Sequence, residues 1–344
     1  MRILTIIFLL ASLSMPVNAL DITAPTLSAS GGLEVPEAES FGEGLMMILG
    51  DMLPLIRPDI REASGVCAGI ICAVILCSVL RTFAGDIDKI ADTVSVVCIA
   101  GTVLYSMGSM IRLAEDTVGE MSAYGKLLIP VMTTTLAAQG APGTSATLCA
   151  GTLVMDTVVI GAIDKLLIPG IYVFLALAVA VAATGEELLK KCRDMARSIT
   201  TYFLKTSLSL FTAYMGITGV ISGTTDAAAL KVTKTTISMF VPVVGGILSD
   251  AAGSVLLGAK LAKNAAGVYG IFALLAIFLE PFLLIACHYL MLKLTATFCL
   301  VFGSRSVTEL ISDISSGMGM LLGMTGAVCL LLLIGVTCYL RVVT

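Results

Sequence analysis

The sequence predicts an all-α polytopic membrane protein, a helical bundle with broken or re-entrant helices and amphipathic interfacial helices. Composition is the first reason: 58% of the 344 residues are hydrophobic and only 13% charged, far from the roughly 45–50% and about 25% of soluble domains. Mean hydropathy is +1.04. The second reason is run length, since several apolar runs approach the roughly 20 residues that a helix needs to cross a hydrocarbon core about 30 Å thick. Helices follow rather than strands because an open sheet leaves its backbone unsatisfied in lipid. A closed barrel needs alternating segments of about ten residues, and the chain has none.

The first twenty residues read MRILTIIFLLASLSMPVNAL. One basic residue, an apolar core over Ile3–Met15 and small residues up to Ala19 predict a signal peptide over 1–19, with an uncleaved anchor as the alternative. Residues 20–63 read as an extracytoplasmic acidic linker, carrying Glu34, Glu37, Glu39 and Glu43, followed by an amphipathic lead-in. Residues 64–344 form the multi-span helical membrane domain. Nine of the ten cysteines sit inside apolar runs with no C-x-x-C spacing. They read as small buried hydrophobes rather than a disulfide or metal set.

Four segments meet the spanning length: Ser64–Leu80, Val94–Ile111, Leu167–Thr184 and Met318–Leu340. Thr206–Gly223 is a fifth, more polar candidate. Val268–Gly303, interrupted by Glu280, Pro281 and Lys293, fits either one long span plus a fragment or two tight spans. Lys126–Ile163 is two apolar arms joined by QGAPGTS, and Pro130 near the start of its short first arm predicts a re-entrant half-helix. The pentapeptide KLLIP recurs at Lys126–Pro130 and Lys165–Pro169, and the pattern around Pro130 matches that around Pro242. A weak internal repeat is one reading of these matches and chance the other.

Charge orients the chain up to Gly223. With the N-terminus outside, Ser64–Leu80 enters the cytoplasm, Val94–Ile111 returns, and the hairpin leaves the side unchanged. Leu167–Thr184 then enters again, which puts the basic segment carrying Lys190, Lys191, Arg193, Arg197 and Lys205 inside. Arg57 and Arg61 lie on the opposite side. In that segment Leu188, Cys192, Met195, Ile199 and Phe203 share a helical face, predicting an amphipathic helix on the inner leaflet or an extension packed on other loops. Val307, Leu310, Ile311 and Ile314 repeat the pattern over Ser304–Ser316.

No catalytic set emerges, so no enzyme, cofactor or metal site is expected. Gly119, Gly125, Lys126 and Leu127 miss the phosphate-loop spacing, and His288 reads as a packed interfacial residue. The apolar composition points to membrane lipid as the surroundings, and no nucleic-acid partner is expected. Three GxxxG pairs, Gly65 with Gly69, Gly219 with Gly223 and Gly319 with Gly323, mark helix contacts within or between chains. Asp156 and Glu280 are ionisable residues at membrane depth, where a central charge costs roughly 2.5–3.5 kcal/mol on insertion scales. They are candidates for a pathway, or else carboxyls that bond a neighbouring helix. Pro242, Gly245, Gly246 and Asp250 predict a broken helix, whose freed backbone groups persist only inside protein or against water.

The stretch from Lys234 to Leu275, through Pro242, Gly245, Gly246, Asp250, Lys263, Asn264, Gly267 and Gly270, resembles the signature region of the stage III sporulation protein AE family. The resemblance extends over nearly the whole chain, although the linker before the first span is short. It implies a membrane component of the mother-cell to forespore channel or secretion-like apparatus of endospore formation, either its permease-like core or a non-conducting scaffold. It further implies residence in the mother-cell membrane surrounding the forespore, with the N-terminus extracytoplasmic. The implied partners are the other stage III sporulation A proteins, including a secretion-type ATPase, and indirectly stage II sporulation protein Q.

Overall fold

In the computed structural model, residues 41–84, 88–139, 141–240 and 245–341 are described, with only the backbone described over 80–84, 88–91 and 216–266 and at Phe302 and many positions of 41–62. The expected signal peptide and most of the acidic linker lie outside these residues, as does Pro242. The described residues are helical throughout, with no strand among them. Helix α1 is Phe41–Ala84, α2 is Asp88–Ala138 and α3 is Pro142–Ala162. A π-helical joint over Ile163–Leu167 leads directly into α4, Ile168–Thr184. Then follow α5, Glu187–Phe240, α6, Gly245–Phe302, and α7, Arg305–Arg341.

Among the described residues these helices make six rods. The α2–α3 turn closes on Leu136, whose carbonyl accepts from the amides of Gln139 and Ala141. The α4–α5 turn uses Gly185 at φ +73°, a left-handed value that glycine takes without a Cβ clash, and its amide bonds the Val181 carbonyl at 2.7 Å. Side-chain meetings fix the directions. Met107 lies against α7 near Gly317, and Leu332 of α7 lies over Gly125 of α2, so α2 and α7 run parallel. Arg193 meets Asp313 and Phe211 lies near Gly335, so α5 runs with them. The joined α3–α4 rod, α1 and α6 run the other way. Helix α7 is the central rod, packed against α2, α3, α4, α5 and α6.

Four described helices, Asp92–Ala138, Pro142–Thr184, Gly267–Val301 and Arg305–Leu340, are long and apolar enough to cross a membrane, and Ala63–Val79 is a shorter apolar helix. Val268–Gly303 is thus one continuous helix up to Phe302. The rods exceed a bilayer: 51 residues of α2 at 1.5 Å each reach about 76 Å. Apolar side chains face outward as well as inward, with Leu76, Val97, Val158, Leu294 and Phe298 exposed. Large exposed apolar surface of this kind suits lipid contact.

One expectation changes and others narrow to one of their alternatives. The arm with Pro130 is not a separate half-helix, because α2 runs unbroken from Asp88 through Pro130 to Ala138. Pro130 sits on the exposed side, while Ile129, Met132 and Leu136 are buried, so packing offsets the one hydrogen bond that proline removes. At the second KLLIP the helix does adjust, widening into the π turn just before Pro169. A π turn before a proline gives its ring room. Finally, Val307, Leu310, Ile311 and Ile314 face the core rather than a membrane interface. Helix α5 likewise packs on α7 from Arg193 onward, leaving Leu188, Met195 and Ile199 exposed along its outer face.

Candidate functional site

Helix α3 buries Thr144, Ser145, Leu148, Thr152, Asp156 and Val159, which from Ser145 onward recur every three to four residues and line one helical face. Four of these six are polar. Thr152 turns its hydroxyl back to the Leu148 carbonyl at 2.8 Å, which satisfies it inside its own helix. Asp156 has no such recourse, because a carboxylate is an acceptor in a helix whose backbone amides are already used. It is 1% exposed, and its Oδ2 accepts from Ser122 Oγ of α2 at 2.9 Å. Its Oδ1 is buried without a hydrogen-bond partner. Leaving such an oxygen unpaired costs about 1–3 kcal/mol, more if it is charged.

The walls of this site come from close helix approach. Tyr214 of α5 lies over Gly151, where a Cβ would sit 1.9 Å from its ring, and its hydroxyl donates to the Thr147 carbonyl at 3.0 Å. Thr152 lies under Gly335 of α7. Gly125 of α2, one turn from Ser122, is covered by Leu332 of α7. Nearby, Tyr339 of α7 and Thr133 of α2 share a hydrogen bond of 3.0 Å, and Tyr124 donates to the Gly270 carbonyl of α6 at 3.3 Å.

The remaining sequence candidates are dispersed. Glu280 is half-buried on α6, whose extensive contacts are with α1, α2 and α7. Asp156 belongs to α3, which packs on α2, α5 and α7, so the two carboxyls lie on different sides of the α2–α7 pair. Gly245, Gly246 and Asp250 belong to the first turns of α6, and the Asp250 side chain lies outside the described residues. Gly219 and Gly223 are in α5, likewise without side-chain surroundings described. A Cβ on Gly319 would lie 3.3 Å from the Tyr289 ring of α6, and one on Gly323 would lie 3.8 Å from Leu204 of α5. Gly65 and Gly69 have nothing within 4 Å of an added Cβ, so among the described residues no helix packs closely on them. His288 is half-buried, with Nδ1 3.0 Å from the Leu284 carbonyl, and lines a small apolar cavity with Cys67, Met107 and Met291.

Sequence reasoning missed Ser122 and the packing role of two glycines that it named only as part of the signature stretch. A Cβ on Gly267 would meet Leu340 of α7 at 2.5 Å and Met132 of α2 at 3.1 Å, and one on Gly270 would meet Leu128 at 2.7 Å. Both belong to the signature stretch, where their role is to let three rods touch. At the opposite end Arg193 donates from Nη1 to Asp313 Oδ2 at 2.6 Å and from Nη2 to Asp194 Oδ1 at 3.0 Å. Burial works against the Arg193 charge, but the two carboxylates outweigh it and hold the guanidinium above its ordinary value.

A family profile described as Stage III sporulation protein AE matches residues 40–342. Stage III sporulation protein AE of Bacillus subtilis (strain 168) is 23% identical over 229 residues, which cover 67% of this chain and 57% of that protein. The aligned region therefore spans less than two thirds of the relative's length. No solved structure matches this chain.

Proposed function

This chain belongs to the stage III sporulation protein AE family, and on that footing we propose that it is a membrane component of the apparatus joining mother cell and forespore, acting as its permease-like core. The family match over residues 40–342 carries the sporulation role. The conducting role rests on Asp156, a carboxyl 1% exposed inside apolar rods, because ionisable groups at membrane depth usually serve a pathway. Glu280, half-buried on α6, adds a second. The chain does no chemistry of its own and binds no cofactor. Its partners are the other stage III sporulation A proteins, including a secretion-type ATPase, and through them stage II sporulation protein Q.

The rod directions support one topology in the mother-cell membrane around the forespore. The C-terminal end of α1, the N-terminal end of α2 and the turns at Gly185 and Gly303 share one end of the bundle, and the α2–α3 turn and the C-terminal end of α5 lie toward the other. The first end carries the basic stretch from Lys190 to Lys205; at the second the α2–α3 turn has no Lys or Arg between Leu127 and Asp164, while Arg57 and Arg61 before the first span and Lys231, Lys234, Lys260 and Lys263 of the long α5–α6 arm lie toward it. The positive-inside rule then puts the first end in the mother-cell cytoplasm and the N-terminus outside. Single cysteines at Gly143 and Glu186 in a cysteine-free background should label from opposite sides, and labelling from one side would overturn the arrangement.

The scaffold reading has its own support, since rods reaching well past a bilayer offer long faces for partner proteins. Asp250→Asn and Glu280→Gln separate the two readings. Lost transport into the forespore with an intact complex supports the conduit. Normal transport in both variants removes these charges from the pathway and favours the scaffold.

A further inference from the structure

We propose that Asp156 is a proton-binding site, holding a proton while α2 and α3 are packed and releasing it to water only when they part. This goes beyond the conduit reading and stands on geometry that either reading shares.

The ionised form fits its surroundings poorly. A carboxylate 1% exposed receives a single hydrogen bond, from a neutral hydroxyl, and its second oxygen is buried with none. Buried carboxylates that stay charged are paired with a cation or take several donors. The neutral form fits the same coordinates. A proton on Oδ2 reverses the 2.9 Å bond, so that the carboxyl donates to Ser122 Oγ, and the serine hydroxyl turns to a carbonyl of its own helix as buried serines do. Oδ1 is then a neutral carbonyl oxygen, the cheapest of the buried acceptors to leave alone.

Few other groups bear on it. On α2, Glu120 and Lys126 lie on either side of Ser122 and both side chains are exposed; the Lys126 charge acts on Asp156 without a hydrogen bond or ion pair to the carboxyl. Helix α7 has no charged residue between Asp313 and Arg341, only the thiols of Cys329 and Cys338 and the Tyr339 phenol. Helix α5 has none between Lys205 and Asp226, only the Tyr214 phenol. Within α3 Asp156 is the sole charge, and Asp164 and Lys165 of the joint are exposed. When the rods part, water takes the proton and solvates both oxygens. When they close, a proton must return.

The test is infrared spectroscopy of the full-length protein in lipid nanodiscs, comparing wild type with Asp156→Asn. The isosteric amide keeps the Ser122 contact and folds in either case. A protonated-carboxyl stretch at neutral pH that is absent in Asp156→Asn is the expected result, and its absence from wild type overturns the proposal. Amide hydrogen exchange in α2 and α3 reads the coupling. Above pH ~4, the ordinary range of an exposed aspartate, wild-type opening should grow with pH by up to about tenfold per unit, because the open state releases the proton. Asp156→Asn should show no such rise once intrinsic exchange is corrected. Parallel pH profiles in the two proteins would refute the coupling. Ser122→Ala should leave the infrared band present but shifted, and an unmoved band would break the link to α2.

Discussion

Replacing Arg193 by methionine should destabilise this protein more than neutralising its partner Asp313, although both changes delete the same ion pair. The side chains of Arg193 and Asp313 are each 14% exposed, whereas Asp194, the second partner of Arg193, is 65% exposed. Removing one member of a fully buried pair costs about 3–5 kcal/mol, and an exposed pair is worth about 0–1 kcal/mol, so this one belongs near the lower end of the buried range. Arg193→Met strands Asp313 beside Asp194 and Glu309, which repel it, and a loss of about 3 kcal/mol is expected. Asp313→Asn leaves Arg193 held by Asp194 and retains an acceptor at the site, so about 1 kcal/mol is expected. The double variant Arg193→Met with Asp313→Leu removes both charges and should regain most of the larger loss. Thermal unfolding of the purified full-length protein in nanodiscs gives the order. The Arg193→Met deficit should also shrink as pH falls, because protonating the stranded carboxylates removes their repulsion. An Asp313→Asn loss equal to or larger than that of Arg193→Met, or a double variant no better than Arg193→Met, would refute the reasoning.

Gly267→Ala should cost about 1–3 kcal/mol by overpacking, because its Cβ would lie 2.5 Å from Leu340 and 3.1 Å from Met132. Gly65→Ala and Gly69→Ala, which meet nothing within 4 Å, should stay within about 0.5 kcal/mol in the isolated protein, and unfolding midpoints decide between them. Tyr339→Phe removes the 3.0 Å bond to Thr133 and should cost about 1 kcal/mol. Thr133→Val in the same background should then add less than it does alone, which a double-variant cycle measures.

What the sequence by itself determined was one-dimensional. Composition and run length put the chain in a membrane, and the long apolar helices agree, because the hydrocarbon thickness imposes a length that can be counted along the chain. The carboxyl at Asp156 was legible as costly for the same reason. Tertiary structure decided what proline and glycine meant at each position. Pro130 passes through an unbroken helix because Ile129 and Met132 beside it are buried, while Pro169 is preceded by a π turn, although both stand in the same pentapeptide. Gly65 and Gly69 match a packing motif yet face open space, whereas Gly125, Gly267 and Gly270 fit no such pair and carry the tight contacts. The Ser122 bond to Asp156 joins residues 34 apart on antiparallel rods, and no local pattern encodes that distance. A spacing rule describes one helix, and the partner it meets is set by how six rods pack around α7.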